Sequence, residues 1–283
     1  MQLFQAVLVE GWHKVLRHWG VILPLYLTGL LLGLVQTWPL LANRNQALYN
    51  PFLGELAAGG SDAYISLFLS GPTRAGQTLG AWVGIALLFG LLFALAYNFF
   101  SGGAVSIYAG TRPFWAGCRR TFWAFVGLGV LLLVLLALAI IVAALFGLAL
   151  GTGGAVIVAL LLIGLVNLFG EYARALAAHD RRNPFALLGM AIVFCVRNLG
   201  GVLVLALIGL LLHGALALLY GALARALGGS VLLVIWQQLA VIGWLWIKLL
   251  RLAWAVSYVQ AAGAAGRAAT TEDAPAVLPS TPI

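Results

Sequence analysis

Apolar residues run almost unbroken over six stretches, about 20–42, 79–101, 124–149, 154–172, 200–223 and 231–254, with short polar or glycine-rich breaks between them. A helix needs about 20 largely apolar residues to cross a hydrocarbon core of about 30 Å, so each run is long enough or nearly so for one crossing. A soluble core would leave most of these runs with nowhere to be buried. The pattern predicts an all-α integral membrane protein with six transmembrane helices. The first span reads as a permanent anchor, because Met1–Gly20 is long and mixed for a signal n-region and WPLLANRN is a poor cleavage site.

The polar breaks have a pattern of their own. NFFSGGAVSIYAGTRPF (98–114) and NLFGEYARALAAHDRRNPF (167–185) both run Asn-x-Phe-small, then a polar stretch with arginine, then Pro-Phe. Proline suits the first turn of a new helix, where its missing N–H is not needed, and Asn183 is placed to cap that helix. The segment Pro184–Arg197 would be about 21 Å long, too short to cross comfortably. It reads as an elbow helix at the cytoplasmic interface, with Met1–Trp19 and Phe114–Trp123 as more amphipathic counterparts. At an offset of 180 residues the Arg-x-x-Gly of Arg17 and Gly20 matches Arg197 and Gly200, and Gly29-Leu-Leu-Leu matches Gly209-Leu-Leu-Leu. The expected architecture is three hairpins, each preceded by a cytoplasmic interfacial elbow helix, in a single membrane domain over 1–258. Residues 259–283, rich in Ala, Thr and Pro, lack apolar periodicity and are expected to be a disordered cytoplasmic tail.

Composition agrees with this reading. Charged residues are 8% of the chain and mean hydropathy is +1.09, against roughly 25% charged in soluble domains. The net charge of +8 comes from basic residues scattered between spans, which argues against nucleic acid as a partner. Their distribution sets the orientation instead, since cytoplasmic segments carry the Lys/Arg excess. With the N-terminus inside, twelve Lys/Arg fall on the inner side and three (Arg44, Arg74, Arg225) on the outer. Both termini are therefore expected in the cytoplasm, at a bacterial inner (plasma) membrane. Trp38, Trp82 and Trp236 then mark the outer boundary, and Trp19, Trp123, Trp246 and Trp254 the inner. Residues 43–78 form the one long outer loop, whereas GTGG (151–154) and LGGS (227–230) read as tight turns. Cys118 and Cys195 are too few and too distant for a metal cluster or disulfide framework and read as small apolar residues in helices.

Candidate chemistry is sparse. Val166–Phe185 concentrates Glu171, Arg174, His179, Asp180, Arg181 and Arg182 in a chain otherwise poor in charge. Glu171 and Arg174 share a helix face, and Lys248 and Arg251 repeat the spacing in the sixth span, where they could neutralise Glu171 if the fourth and sixth spans are adjacent. This cytoplasmic charge cluster reads first as a structural anchor for the bundle, with gating or coupling as the sharper alternative. His213 is the ionisable side chain deepest in a span. With Asn167, Gln237 and Gln238 it forms a candidate polar intramembrane site, or simply hydrogen-bonds Gln237 or Gln238 to satisfy itself in lipid. Gly29/Gly33, Gly80/Gly84 and Gly147/Gly151 have the Gly-x-x-x-Gly spacing that lets helices approach. The sequence holds no His-Glu-x-x-His, P-loop, dinucleotide fingerprint, Cys-x-x-Cys or paired acids on one span, so neither an enzyme nor a cofactor is expected.

The Asn-x-Phe-small…Arg…Pro-Phe segments leading to an Arg-Asn-x-Gly-Gly span start resemble the poorly characterised bacterial six-helix membrane proteins. Among these is the membrane domain found beside some glycerophosphodiester phosphodiesterases. The resemblance covers about residues 1–258 and implies a fold, with no catalytic part and no family site residues to carry across. Two functions follow as expectations. One is a non-catalytic subunit or scaffold that binds membrane lipid or another membrane protein. The other is a small-solute permease with a polar site near His213.

Overall fold

The computed structural model of the chain describes residues 2–42, 74–178, 183–227 and 231–272. Over these residues it is helical almost throughout, with no strand. The helices are α1 (Gln2–Arg17), α2 (Ile22–Ala42), α3 (Arg74–Tyr108), α4 (Phe114–Ala177), α5 (Pro184–Arg197), α6 (Leu199–Leu227) and α7 (Val231–Glu272), with a 3₁₀ turn at Trp19–Val21. Five segments are long and apolar enough to cross a membrane, or six if the two helices flanking His18 count as one broken span. The chain is thus all-α and compatible with several membrane crossings.

Three boundaries differ from the sequence reading. Phe114–Trp123 is not a separate elbow: Phe114–Ala149 is one continuous helix, because nothing in it leaves helical geometry. The GTGG turn contracts to a single residue, Gly151, whose φ of 74° and ψ of 178° lie outside the helical region on a side of the map that side chains disfavour. It divides α4 into a first arm, Phe114–Ala149, and a second arm, Gly151–Ala177. Finally, α7 continues as helix through Glu272, past position 259. Residues 43–73, which hold most of the outer loop, the charged residues His179–Arg182, the turn residues 228–230 and residues 273–283 lie outside the described residues.

Contacts divide the chain into two compact units, Met1–Leu23 with Asn98–Ile283, and Pro24–Tyr97. Within the smaller unit α2 meets α3 where a Cβ on Gly29 would lie 3.3 Å from the Phe93 ring.

In the larger unit the end of α3 and the start of α4 approach closely. A Cβ on Gly102 would collide with the Thr121 hydroxyl, and one on Gly117 would lie 2.5 Å from Ser106. The connection is tight because Gly110, at φ 67°, closes α3. Gly110 N–H donates to the Ile107 carbonyl at 2.9 Å and Thr111 N–H to the Ser106 carbonyl at 3.0 Å, which satisfies the last carbonyls of the helix.

Helix α1 buries Val7, Gly11 and Val15, one residue per turn, against α7. Trp254 lies on Gly11, and its Nε1–H donates to the Leu8 carbonyl at 3.2 Å. Trp254 is therefore a buried docking residue and not part of an inner aromatic belt. Trp19 and Trp123 are exposed. Helix α5 buries Leu187, Leu188, Ala191 and Cys195 and starts at Asn183, whose side chain accepts from Phe185 N–H at 3.1 Å as expected of a cap. Cys118 and Cys195 are buried and free. Both α1 and α5 end at a residue of nearly identical geometry: His18 at φ −116°, ψ 33° and Asn198 at φ −116°, ψ 30°.

Candidate functional site

The charges of the second arm of α4 meet those of α7. Arg251 Nη2 contacts both carboxylate oxygens of Glu171, at 2.8 and 2.9 Å, and the two side chains are 21% and 22% exposed. A partly buried charge in a helical bundle is tolerated when an opposite charge and hydrogen bonds accompany it. One helical turn along α4, Arg174 Nη2 donates to Asn98 Oδ1 of α3 at 3.3 Å. Lys248 lies 3.9 Å over the Trp244 ring, where the ring face attracts the ammonium. The structure thus brings Glu171 and Arg251 together as the adjacency of these spans required, and adds Asn98 as a partner of Arg174.

A close neighbour confines Arg251. Gly209 of α6 faces its stem so closely that a Cβ there would lie 2.7 Å from Cδ. A row of aromatic contacts lies nearby: Tyr172 stacks on Phe194 at 5.4 Å, and Phe194 meets Tyr258 edge-on at 5.8 Å. Beside the pair is a space of only about 10 Å³, lined by Glu171, Tyr172, Arg251 and Trp254 among others, about the volume of one water-sized probe.

The other sequence-derived site is not assembled in the same way. His213 Nδ1–H donates to the Gly209 carbonyl, one turn back on its own helix, at 2.8 Å. Asn167 Nδ2 likewise donates to the Ile163 carbonyl at 3.0 Å and is exposed. Gln237 is exposed, and Gln238 is half-buried. Neither glutamine bonds His213: its hydrogen bond among the described residues goes to Gly209. A polar side chain in a helix often finds the i−4 carbonyl before it finds another helix.

Sequence reasoning did not find an open cleft of about 1050 Å³ between α1, the α3–α4 turn and α7. Lys14 anchors one wall. Its ammonium donates to Ser257 Oγ at 3.0 Å and Gln260 Oε1 at 2.9 Å and pairs with Glu10 at 2.7 Å. Gln260 Nε2 in turn donates to the Ala109 carbonyl at 3.0 Å. His13, Arg17, His18 and Arg112 complete the polar lining. The signal for one wall was present, since Glu10, His13, Lys14 and Arg17 recur at helical spacing. Arg112 on the other wall comes from a distant turn.

No protein-family model matches this sequence, and no curated protein or solved structure shows significant similarity to it.

Proposed function

We propose that the chain is a non-catalytic multi-pass protein of the bacterial inner (plasma) membrane, acting as a subunit or scaffold that binds membrane lipid or a partner membrane protein. The observation that carries this reading is how the mid-span polar groups are used. Asn167 and His213 spend their hydrogen bonds on carbonyls of their own helices, and Asn167 and Gln237 lie on the exposed surface. The deepest charges, Glu171 and Arg251, neutralise one another beside a space too small for a solute larger than water.

In the same proposal both termini are cytoplasmic and the six spans form three elbow-and-hairpin units, in keeping with the resemblance to the bacterial six-helix membrane proteins. The matching breaks at His18 and Asn198 support the first and third elbows. The middle elbow becomes the opening turns of α4, whose first arm of 36 residues is about 54 Å long and exceeds a hydrocarbon core of about 30 Å.

A small-solute permease is the second reading. Its support is Gly209, whose carbonyl holds mid-span His213 while its Cα faces Arg251. Purification in native lipid separates the two readings. A subunit or scaffold retains a protein or lipid in fixed ratio, and vesicles carrying it show no His213-dependent solute flux. Flux that disappears in His213→Ala would establish the permease instead.

A further inference from the structure

Two grooves flank the inner half of α7, and equivalent positions of α1 and α5 line them. The basic cleft of about 1050 Å³ uses Glu10, His13, Lys14, Arg17 and His18. A second groove of about 730 Å³ uses Met190, Val193, Phe194, Arg197 and Asn198, each 180 residues further on. The arginines match, and so do the backbone angles of the residue that follows each. What architecture alone requires should be alike in both places. At three of the four remaining positions the chemistry changes from polar to apolar: Glu10, His13 and Lys14 in one groove stand where Met190, Val193 and Phe194 stand in the other. Polar side chains added at these positions in one copy only point to a ligand.

The ligand's charge follows from the residues. Lys14 is held by Glu10, Ser257 and Gln260. Arg17 and Arg112 are exposed, and neither has an ion pair among the described residues. Pro113 and Phe114, at the start of α4, also line the cleft, and that helix begins without a side-chain cap, so its first N–H groups add positive potential. The surroundings point to the membrane as the source. Adjoining the polar face of α1 is a strip of exposed apolar residues, Val9, Trp12 and Leu16, and across the cleft Trp115 is 59% exposed. Tryptophan and apolar side chains beside exposed arginine are the composition of the headgroup level of a bilayer.

We propose that this cleft binds the phosphate headgroup of an anionic phospholipid of the surrounding leaflet, with Arg17 and Arg112 as its ligands. The inference rests on the reading of the chain as a lipid- or partner-binding membrane protein and names its lipid class and site. It is tested by titrating the full-length protein in a neutral detergent with phosphatidylglycerol, phosphatidylcholine or inorganic phosphate, with bound lipid counted by native mass spectrometry. Phosphatidylglycerol should bind in preference to phosphatidylcholine. Since each cation near anionic lipid contributes about 1 kcal/mol, Arg17→Gln and Arg112→Gln should each weaken binding about five-fold and together about 25-fold. Arg17→Lys and Arg112→Lys should largely restore it. Melting without added lipid shows whether each variant is folded, as expected for exposed positions. Arg197→Gln in the second groove and Arg119→Gln outside both should leave affinity within about two-fold of the parent. Equal affinity for phosphatidylcholine, equal loss in Arg197→Gln, or displacement of the lipid by inorganic phosphate at matching concentration would each refute the proposal, the last by making a free anion the ligand. Solute flux and protein co-purification do not depend on these arginines, so the broader reading and this site can fail separately.

Discussion

Glu171 is a partly buried acid of the larger unit, and the Arg251 guanidinium pairs with it. Removing one partner of a buried pair costs about 3–5 kcal/mol. The pair here is about one-fifth exposed, so solvent shares the task and a loss of about 2 kcal/mol is expected for Glu171→Gln. That corresponds to a fall in melting temperature of about 4–8 °C for a domain of this size. Arg251→Met should cost a similar amount, and the double variant less than the two together, because the second change removes a charge already stranded by the first. Additive losses, or an unchanged melt in Glu171→Gln, would show that the pair does not hold the bundle. A second residue-scale prediction concerns Cys195, on α5 outside the long spans. It is 2% exposed, and burial pushes its thiol up to about 11. A raised value leaves little thiolate at neutral pH, and the thiolate is the nucleophile. In a Cys118→Ala background, maleimide should label Cys195 slowly at pH 7 and rapidly once the protein is unfolded; equal rates in both states would contradict its burial.

At the scale of helices, α1 is held by a few polar links to α7 as well as by Val7, Gly11 and Val15. Lys14 supplies two of those links, to Ser257 and Gln260. Hydrogen bonds to a charged group contribute about 1.5–3 kcal/mol. Lys14→Met should therefore increase hydrogen exchange in Gln2–Arg17 by about tenfold or more, while exchange in α6 stays as it was. Exchange in α1 that does not change would mean the apolar contacts suffice. The long apolar helices were legible because their apolar runs reach the length that a bilayer crossing needs, and the breaks at His18 and Asn198 were legible in the repeated Arg-x-x-Gly. The absence of a break between Phe114 and Ala149 was not, since the apolar run begins only at 124 while the helix already starts at Phe114. The Glu171–Arg251 contact could be anticipated from two charged clusters in a nearly uncharged chain. The fate of His213 could not, because sequence does not say whether an imidazole will bond its own helix or the next.

For the whole molecule, hydrogen bonds group the regions that lie at one end. Lys14 of α1, Ala109 of the α3–α4 turn and Gln260 of α7 form one hydrogen-bonded group, so these three regions share one side. Leu199–Ala226 is 28 residues of apolar helix, about 42 Å, long enough to carry Arg225 to the opposite side. Twelve of the fifteen Lys and Arg residues fall on the side assigned to Lys14, and such an excess accumulates in the cytoplasm. In a cysteine-free background, single cysteines at Thr111 and at Arg225 should therefore label from opposite faces of intact cells. A membrane-impermeant maleimide should reach Arg225→Cys without lysis and Thr111→Cys only after it. The reverse pattern would keep the spans but invert the protein, and labelling of both from one face would mean that Leu199–Ala226 does not cross. An inverted protein would also open the basic cleft to the outer leaflet, so the same two cysteines decide which pool of anionic lipid can reach Arg17 and Arg112.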